Sequence, residues 1–428
     1  MFERIAAAPI SCLIIITLSL ETAGAKTNEE VLSMPDSRTQ EAIALMNDFA
    51  ERTGLSSDRP PQRYLWTDAF AVCNYIGLSR LTGKKRYQEL ALELVDRVHR
   101  TLGQYRGDDS RTGWIGGLAG QEGEEHPTRG GLRIGKPLPE RTPDQAFDER
   151  LEWERDGQYF HYLSKWMHAL DQVSRSTGHP RFNLWARELA ETAHHAFTYL
   201  PSAHGPRRMY WKMSIDLKRP LVSSMGQHDP VDGFITFAQL SSTAAKLPTA
   251  NPEPNLEQET RQLKAMIVAK NMATADPLGL GGLLIDAYRL QQLLQQAGPA
   301  DSSLLESLLT AALVGLQYYV MSGDLDMPAK HRLAFRELGL AIGLHAIKLM
   351  QETSKKNSTQ SSLPDGVRIR LRELMQYVSV GEKIESFWRN PEHRNSSIWS
   401  EHRNINEVML ATTLVPEGLL VLPLPPLK

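Results

Sequence analysis

Along most of the chain apolar residues recur at every third or fourth position, the spacing of a helix with one face turned inward, and runs that alternate as strands do are scarce. The pattern predicts twelve helices, at roughly 38–53, 64–81, 84–103, 156–176, 180–199, 232–246, 255–273, 280–296, 302–320, 331–352, 366–381 and 401–412. They are of two kinds. LWTDAFAVCNYIGL (65–78) is apolar around most of its circumference, which predicts a buried helix. In the next helix Leu90, Leu94 and Val98 share one face while Glu89, Glu93, Asp96, Arg97 and Arg100 lie elsewhere, so that helix covers the outside. AFRELGLAIGLHAIKLM (334–350) is another inner candidate, because Gly339 and Gly343 one turn apart permit close helix approach.

The pairing repeats. RLTGKKRYQELALELVDRVHRTL (80–102) aligns with RSTGHPRFNLWARELAETAHHAF (175–197) at an offset of 95, matching Thr82 with Thr177, Gly83 with Gly178, Arg86 with Arg181, Glu93 with Glu188 and His99 with His194. Each copy reads as helix, Thr-Gly turn, helix. Polar, Pro- and Gly-rich linkers lie at 246–255, 295–303 and 354–366, and a much longer irregular excursion occupies 104–152. Excursions of that length in compact domains tend to be functional, and its glycines with Trp114 and Ile115 favour an ordered one.

Alternating buried and half-buried helices describe two concentric rings. The pattern resembles the (α/α)6 toroid of the six-hairpin glycosidase type, an all-α fold that is also similar to acylglucosamine epimerases and several polysaccharide lyases. The resemblance covers most of residues 38–412. It implies a single toroid domain over 26–428, with 104–152 as its lid or rim, and an activity on carbohydrate.

Composition then narrows the setting. Residues 1–25 read as a secretory signal peptide, with an apolar run from Ile10 to Leu20 followed by Ala23, Gly24 and Ala25, so the mature protein is expected to be secreted or periplasmic. That run is short for a membrane span, and no later segment reads as one. Cys12 leaves with the signal, Cys73 remains alone, and no intramolecular disulfide is possible. With 48 Lys and Arg against 50 Asp and Glu there is no basic field for nucleic acid. No oligomeric state is implied.

The chemistry is expected where inner helices begin, since in such a toroid they all start at one end. Sugar faces stack on Trp and Tyr while hydroxyls need Asp, His, Arg and Asn in the same cleft. Glycosidic cleavage needs two carboxyl groups, and Asp156 and Asp229 are the preferred pair, with Glu154, Asp68 and Asp232 as substitutes. His161, His228, His331 and His402 offer a second route, proton transfer at a sugar carbon as in epimerases or lyases. Trp66, Tyr159, Gln227, Arg332 and Asn406 would stack on or orient the sugar, and Arg133 would reach over the pocket. A third reading is a non-catalytic glycan-binding or scaffold protein.

Plainer roles compete with these. Asp156 could serve only to cap its helix, Asp229 before Pro230 could serve only a turn, and Lys165, His168 and Gln172 could form a solvated stripe. Sharper motifs fail. GGLRIGKP (130–137) has Pro137 where a phosphate loop needs a hydroxyl, so no nucleotide cofactor is implied. EEHP (124–127) and QHD (227–229) are too scattered to imply a metal. NST (357–359) and NSS (395–397) fit glycosylation sequons. Amino-terminal sequencing of the exported protein should begin at Lys26; a chain still starting at Met1 would contradict the signal-peptide reading.

Overall fold

Thr82 and Gly83 show how the repeated sequence makes a repeated turn. Thr82 Oγ1 donates to Leu78 O, Gly83 enters the left-handed region at φ 68°, and its N–H bonds Ser79 O. Thr177 donates to Val173 O in the same way, and Gly178 at φ 70° bonds Ser174 O. A residue with a Cβ is strained at such φ values, so glycine ends both helices sharply and the chain doubles back.

A computed structural model describes residues 35–202, 205–247, 251–268, 272–297, 302–356 and 363–424. The expected signal segment, Cys12 and the sequon at 357–359 lie outside the described residues. Six inner helices follow one another around an axis: Leu65–Thr82, Phe160–Thr177, Asp229–Ala244, Pro277–Ala297, Ala334–Lys356 and Arg403–Leu414. Each packs on the next and the sixth returns to the first, which closes the ring. The outer ring is Lys85–Leu102, Pro180–Phe197, Glu257–Met266, Ser303–Met321, the pair Asp365–Met375 and Val378–Arg389, and Ser37–Arg52. That last helix comes first in the chain and covers the sixth inner helix, joining the two ends of the fold. This is an (α/α)6 toroid.

Burial follows the sequence pattern. Fourteen consecutive residues from Leu65 to Leu78 are all buried, whereas Lys85–Leu102 buries Tyr87, Ala91, Leu94, Val95, Val98, His99 and Leu102 along one stripe. Ser303–Met321 corrects the expectation that no later segment could span a membrane. By length and composition it qualifies, with a mean hydropathy of 1.4. Its Leu305, Leu308, Leu309, Ala312, Leu316 and Tyr319 are nevertheless buried, and the helix packs on Pro277–Ala297 as part of the outer ring. The helix expected at 366–381 is two, broken at Gln376 and Tyr377, and the second half carries Ile384 and Trp388 into the core.

Small strands, which the sequence did not announce, edge one end of the ring. Gln158–Tyr159 pairs with Lys212–Met213, which pairs with Pro220–Val222, and Thr198–Tyr199 pairs with Arg208–Met209. Segments of two or three residues are too short to show alternation. The other end is covered by residues 418–421. Gly418 lies against Gly77 and Cys73, and Gln172 Nε2 donates to Gly418 O at 3.0 Å and Val421 O at 2.9 Å. Gln292 Nε2 donates to Leu420 O and His168 Nε2 bonds Leu419 O, both at 2.9 Å. The described part of the apolar tail is thus a floor rather than a docking surface.

The fourth and fifth inner helices cross at Gly281, Gly339 and Gly343. A Cβ on Gly343 would stand 2.8 Å from Gly281 Cα, and one on Gly281 would collide with the Gly339 carbonyl. Because the obstacle is backbone, Gly281→Val should lower stability at or above the upper end of the roughly 1–3 kcal/mol seen for overpacking. The urea midpoint reads this, and an unchanged midpoint would show that the crossing is loose.

Candidate active site

The inner helices all begin at the end opposite the floor, and there the axis opens into a funnel of two chambers. The deep one, about 360 Å³, runs from Trp66, His161, His228 and Asp229 down to Leu419. The upper one, about 980 Å³, is lined by Tyr64, Lys136, Trp153, Tyr162, Arg336 and His402 among others. Trp66, His161, Trp211, Asp276 and Leu278 border both.

Asp229 is the first residue of the third inner helix, and it is not a turn or cap residue. His228 holds the N-cap position, no side chain caps there, and the Asp229 Oδ2 atom is buried with no hydrogen-bond partner. Burial, reinforced by the negative charge of Asp232, pushes its carboxyl up to about 7. A buried carboxyl oxygen without a partner is costly, and in a residue that lines a chamber it marks a candidate functional group.

Asp232, one turn on, is the opposite case. Burial alone would raise it, but Lys165 and Arg289 hold it well below the usual carboxylate range. Lys165 Nζ lies at 2.9 Å and Arg289 Nη1 at 3.2 Å, and Ser164 Oγ also bonds it. Arg289 further reaches Asp286 at 3.0 Å, Thr236 Oγ1 at 2.9 Å and Gln239 Oε1 at 2.8 Å. Burial, with Asp232 nearby, raises Asp286 to about 6. With its three donors engaged, Asp232 is a charge-setting group rather than a free nucleophile.

Asp276, which no periodic or motif signal singles out, precedes the fourth inner helix. Its Oδ2 accepts from Gly279 N at 2.9 Å and its Oδ1 from Arg336 at 2.6 Å. A Cβ on Gly279 would lie 3.4 Å from Asp276 Oδ2 and 3.5 Å from His228 Cε1, which sets this carboxylate beside His228. His228 Nε2–H donates to Met272 O at 2.8 Å, leaving Nδ1 as an acceptor. Burial lowers its pKa, partly offset by that hydrogen bond. Burial and then Lys165 push His161 down to about 4, so its ring is neutral at pH 7.

His161 belongs to an aromatic wall. Its ring centroid is 4.7 Å from Tyr162, 5.3 Å from Tyr159 and 6.4 Å from Trp211, and Trp211 is 5.1 Å from Trp153. The strand pairing of Lys212 with Tyr159 delivers Trp211 to this place. Trp66 lies on the first inner helix, its ring centroid 4.3 Å from that of Phe70 with the planes tilted by 32°.

Several expected site residues are elsewhere. Asp156 is fully buried away from the funnel, where it accepts from Arg133 Nη1 at 2.9 Å, Gly135 N at 3.0 Å, Gly157 N at 3.1 Å and, at 3.4 Å, both Arg106 Nη1 and Lys136 N. It is a knot that ties the excursion to the second inner helix, and it does not pair with Asp229 in the funnel. Arg133 points into that knot and to the carbonyls of Thr101 and Gln104, not over the pocket. Glu154 is exposed and borders neither chamber, and His331 is exposed on a short turn, also outside both. Arg332 is locked bidentately to Glu337 at 2.8 and 2.7 Å. Asn406 accepts from Phe335 N and donates to Trp399 O, so it holds backbone. Tyr159 is buried behind the wall.

The remainder gather as expected at the mouth. Gln227 is an exposed rim residue and His402 an exposed one in the upper chamber. Asp68 borders the upper chamber, bonds Tyr64 N at 3.0 Å and is raised by burial to about 6 against the pull of Arg63. The stripe Lys165, His168 and Gln172 faces the axis and is not a solvated surface. A lysine in such a stripe reads as solvent-facing in one dimension, because its partner Asp232 lies 67 residues away. Among the described residues no cluster of three or more His, Cys, Asp or Glu could hold a metal.

No protein-family model matches the sequence, and no curated protein matches it. Among solved structures, a GH76 α-mannanase from Bacteroides thetaiotaomicron is similar at TM-score 0.50 and 10% identity, over 89% of this chain and 95% of that one. A GH76A α-1,6-mannanase from a Salegentibacter species has 12% identity over 89% and 98% of the two chains, at TM-score 0.46. A D-mannose isomerase has 12% identity over 89% and 99%, also at TM-score 0.46. At 10% identity the first of these likenesses establishes the fold alone, an (α/α)6 toroid.

The raised Asp229 carboxyl has a thermodynamic consequence. Its folded value of about 7 exceeds the ordinary 3.8, so its contribution to stability is complete below pH 3.8 and is lost as pH rises to about 7. Asp229→Asn should abolish this dependence and be the more stable protein above pH 7, by up to about 4 kcal/mol for a shift of this size. Denaturant titrations at pH 5 and pH 8 measure it; equal losses for both proteins between those values would show that Asp229 ionises normally.

Proposed function

We propose that the funnel is the active site of a carbohydrate-active enzyme that hydrolyses glycosidic bonds, with Asp229 as proton donor and Asp276 as the carboxylate base. The observation that carries this is the Asp229 Oδ2 atom, buried at the chamber wall without a partner on a carboxyl raised to about 7. Such a group still holds its proton near neutrality and can pass it to a departing glycosidic oxygen. Asp276 is oriented by Arg336 and by the Gly279 N–H at the start of the fourth inner helix, and accepts the proton of the attacking water. Asp276 takes the place that the sequence gave to Asp156. Trp66, Trp211 and Tyr162 supply apolar faces for sugar rings.

Within the same proposal the protein is exported through residues 1–25, and the 104–152 excursion contributes Lys136 to the rim. A second reading, sugar epimerisation, isomerisation or elimination, is favoured by one observation. The His161 ring is neutral, borders both chambers and makes no side-chain hydrogen bond among the described residues, as a base for carbon-bound protons requires.

The test is a panel of α- and β-linked oligosaccharides, α-mannan included, followed for reducing-end release and for deuterium uptake from heavy water. Hydrolysis predicts new reducing ends, a loss of roughly 10²–10⁴-fold in kcat for Asp229→Asn and Asp276→Asn, and a KM effect for Trp211→Ala. Asp156→Asn should act on stability instead. Deuterium uptake that survives Asp276→Asn and disappears in His161→Ala would replace hydrolysis with the second reading. Glycan binding without any product would leave a binding protein.

A further inference from the structure

The fourth inner helix contains two adjacent glycines with different surroundings. Gly281 is pressed against the backbone of Gly339, and its lack of a side chain is a packing requirement. Gly282 has no such reason. A Cβ built on it meets nothing within 4 Å, and the residue borders the deep chamber. Glycine weakens a helix interior relative to alanine, so an unpacked glycine there is a local loss that the fold does not require. What it leaves is room.

That room is closed at its bottom by described residues. Leu419 forms the bottom of the deep chamber, and the floor is stitched by Gln172, Gln292 and His168 to the carbonyls of residues 418–421. A polymer lying through an open cleft needs two exits, and among the described residues the floor closes one end of this chamber. Its volume of about 360 Å³ is near the small end for ligand pockets, which begin at about 300 Å³. Asp276 borders both chambers while Asp229 borders the deep one alone, so the proposed acid and base stand between the dead end and the open upper space.

We infer that the deep chamber is a dead-end subsite for the terminal sugar of a glycan chain, and that Gly282 sets the size of residue admitted. The inference rests on the hydrolytic reading above and specifies its substrate end. The chain end enters first, the rest of the chain occupies the upper chamber, and the bond cleaved joins the terminal unit to the next. Water adds across that bond: its hydroxyl goes to the terminal sugar, Asp229 gives its proton to the departing oxygen, and Asp276 takes the proton of the water.

The experiment uses the full-length mature protein and the linear oligosaccharide most active in the panel, with and without both termini capped by bulky groups. Gly282→Leu and Gly282→Ala are compared with the wild type for product size, kcat/KM and thermal midpoint. The wild type should release one small unit at a time, and capping should slow it more than 100-fold. Gly282→Leu should lose more than 100-fold in kcat/KM with an unchanged or higher midpoint, and Gly282→Ala should lie between. Equal rates on capped and uncapped chains with internal fragments as products would overturn the dead-end subsite while leaving hydrolysis in place. A fully active Gly282→Leu would also overturn it. Absence of hydrolysis of every glycan by the wild type would remove the underlying reading and this inference with it.

Discussion

The site depends on one buried cation. Arg289 projects from the fourth inner helix to Asp232, Thr236 and Gln239 on the third, and Asp232 in turn holds Ser164 and Lys165 of the second. Three neighbouring inner helices are thereby fixed in register around a single guanidinium. Isolated buried charges are expensive, and Arg289 is tolerable because every one of its nitrogens has an acceptor. The same cation, with Lys165, keeps Asp232 ionised, and that retained negative charge adds to burial in keeping Asp229 protonated. Helix register and protonation share a cause here.

Around that centre the toroid separates two tasks. Its lower half is sealed, with backbone carbonyls of the terminal segment satisfied by buried amides and an imidazole and with glycines letting backbones touch. Its upper half is edged by segments with little regular structure: the short strands that carry Trp211, the excursion that carries Lys136, and the turn that carries Asp276. Loops positioned by a rigid ring are where binding groups collect, because they can vary without disturbing the helices. Asp156 belongs to this division of labour. It uses its charge to fold the excursion back against the ring, so a carboxylate that looks reactive in the sequence is consumed in holding the rim.

Much was legible in the sequence. Eleven of the twelve expected helices, their sorting into inner and outer, and the Thr-Gly turn at 82–83 and 177–178 all follow from periodicity and from local hydrogen bonds within a few residues, whereas the twelfth, at 366–381, is two. Trp66, Asp68, His161, Gln227, His228, Asp229, Asp232 and His402 do line the funnel, because position at the start of an inner helix is itself a local property. Asp156, Glu154, Arg332, His331 and Asn406 satisfy the same rule and are directed elsewhere.

The chain's own periodicity determined that it would be helical, that alternate helices would be buried, and that polar groups would sit at one end of them, since each of these is decided by the water-fearing or water-seeking character of residues one turn apart. Tertiary structure alone decided which of those groups are free. Asp229 lacks a partner and Asp156 has five donors only because of what distant segments bring within 3.5 Å, and a carboxyl's charge follows from that company. Gly281 and Gly282 make the same point in space: identical neighbours in sequence, one is held by the opposing backbone and the other opens onto the cavity, because successive residues of a helix point about 100° apart.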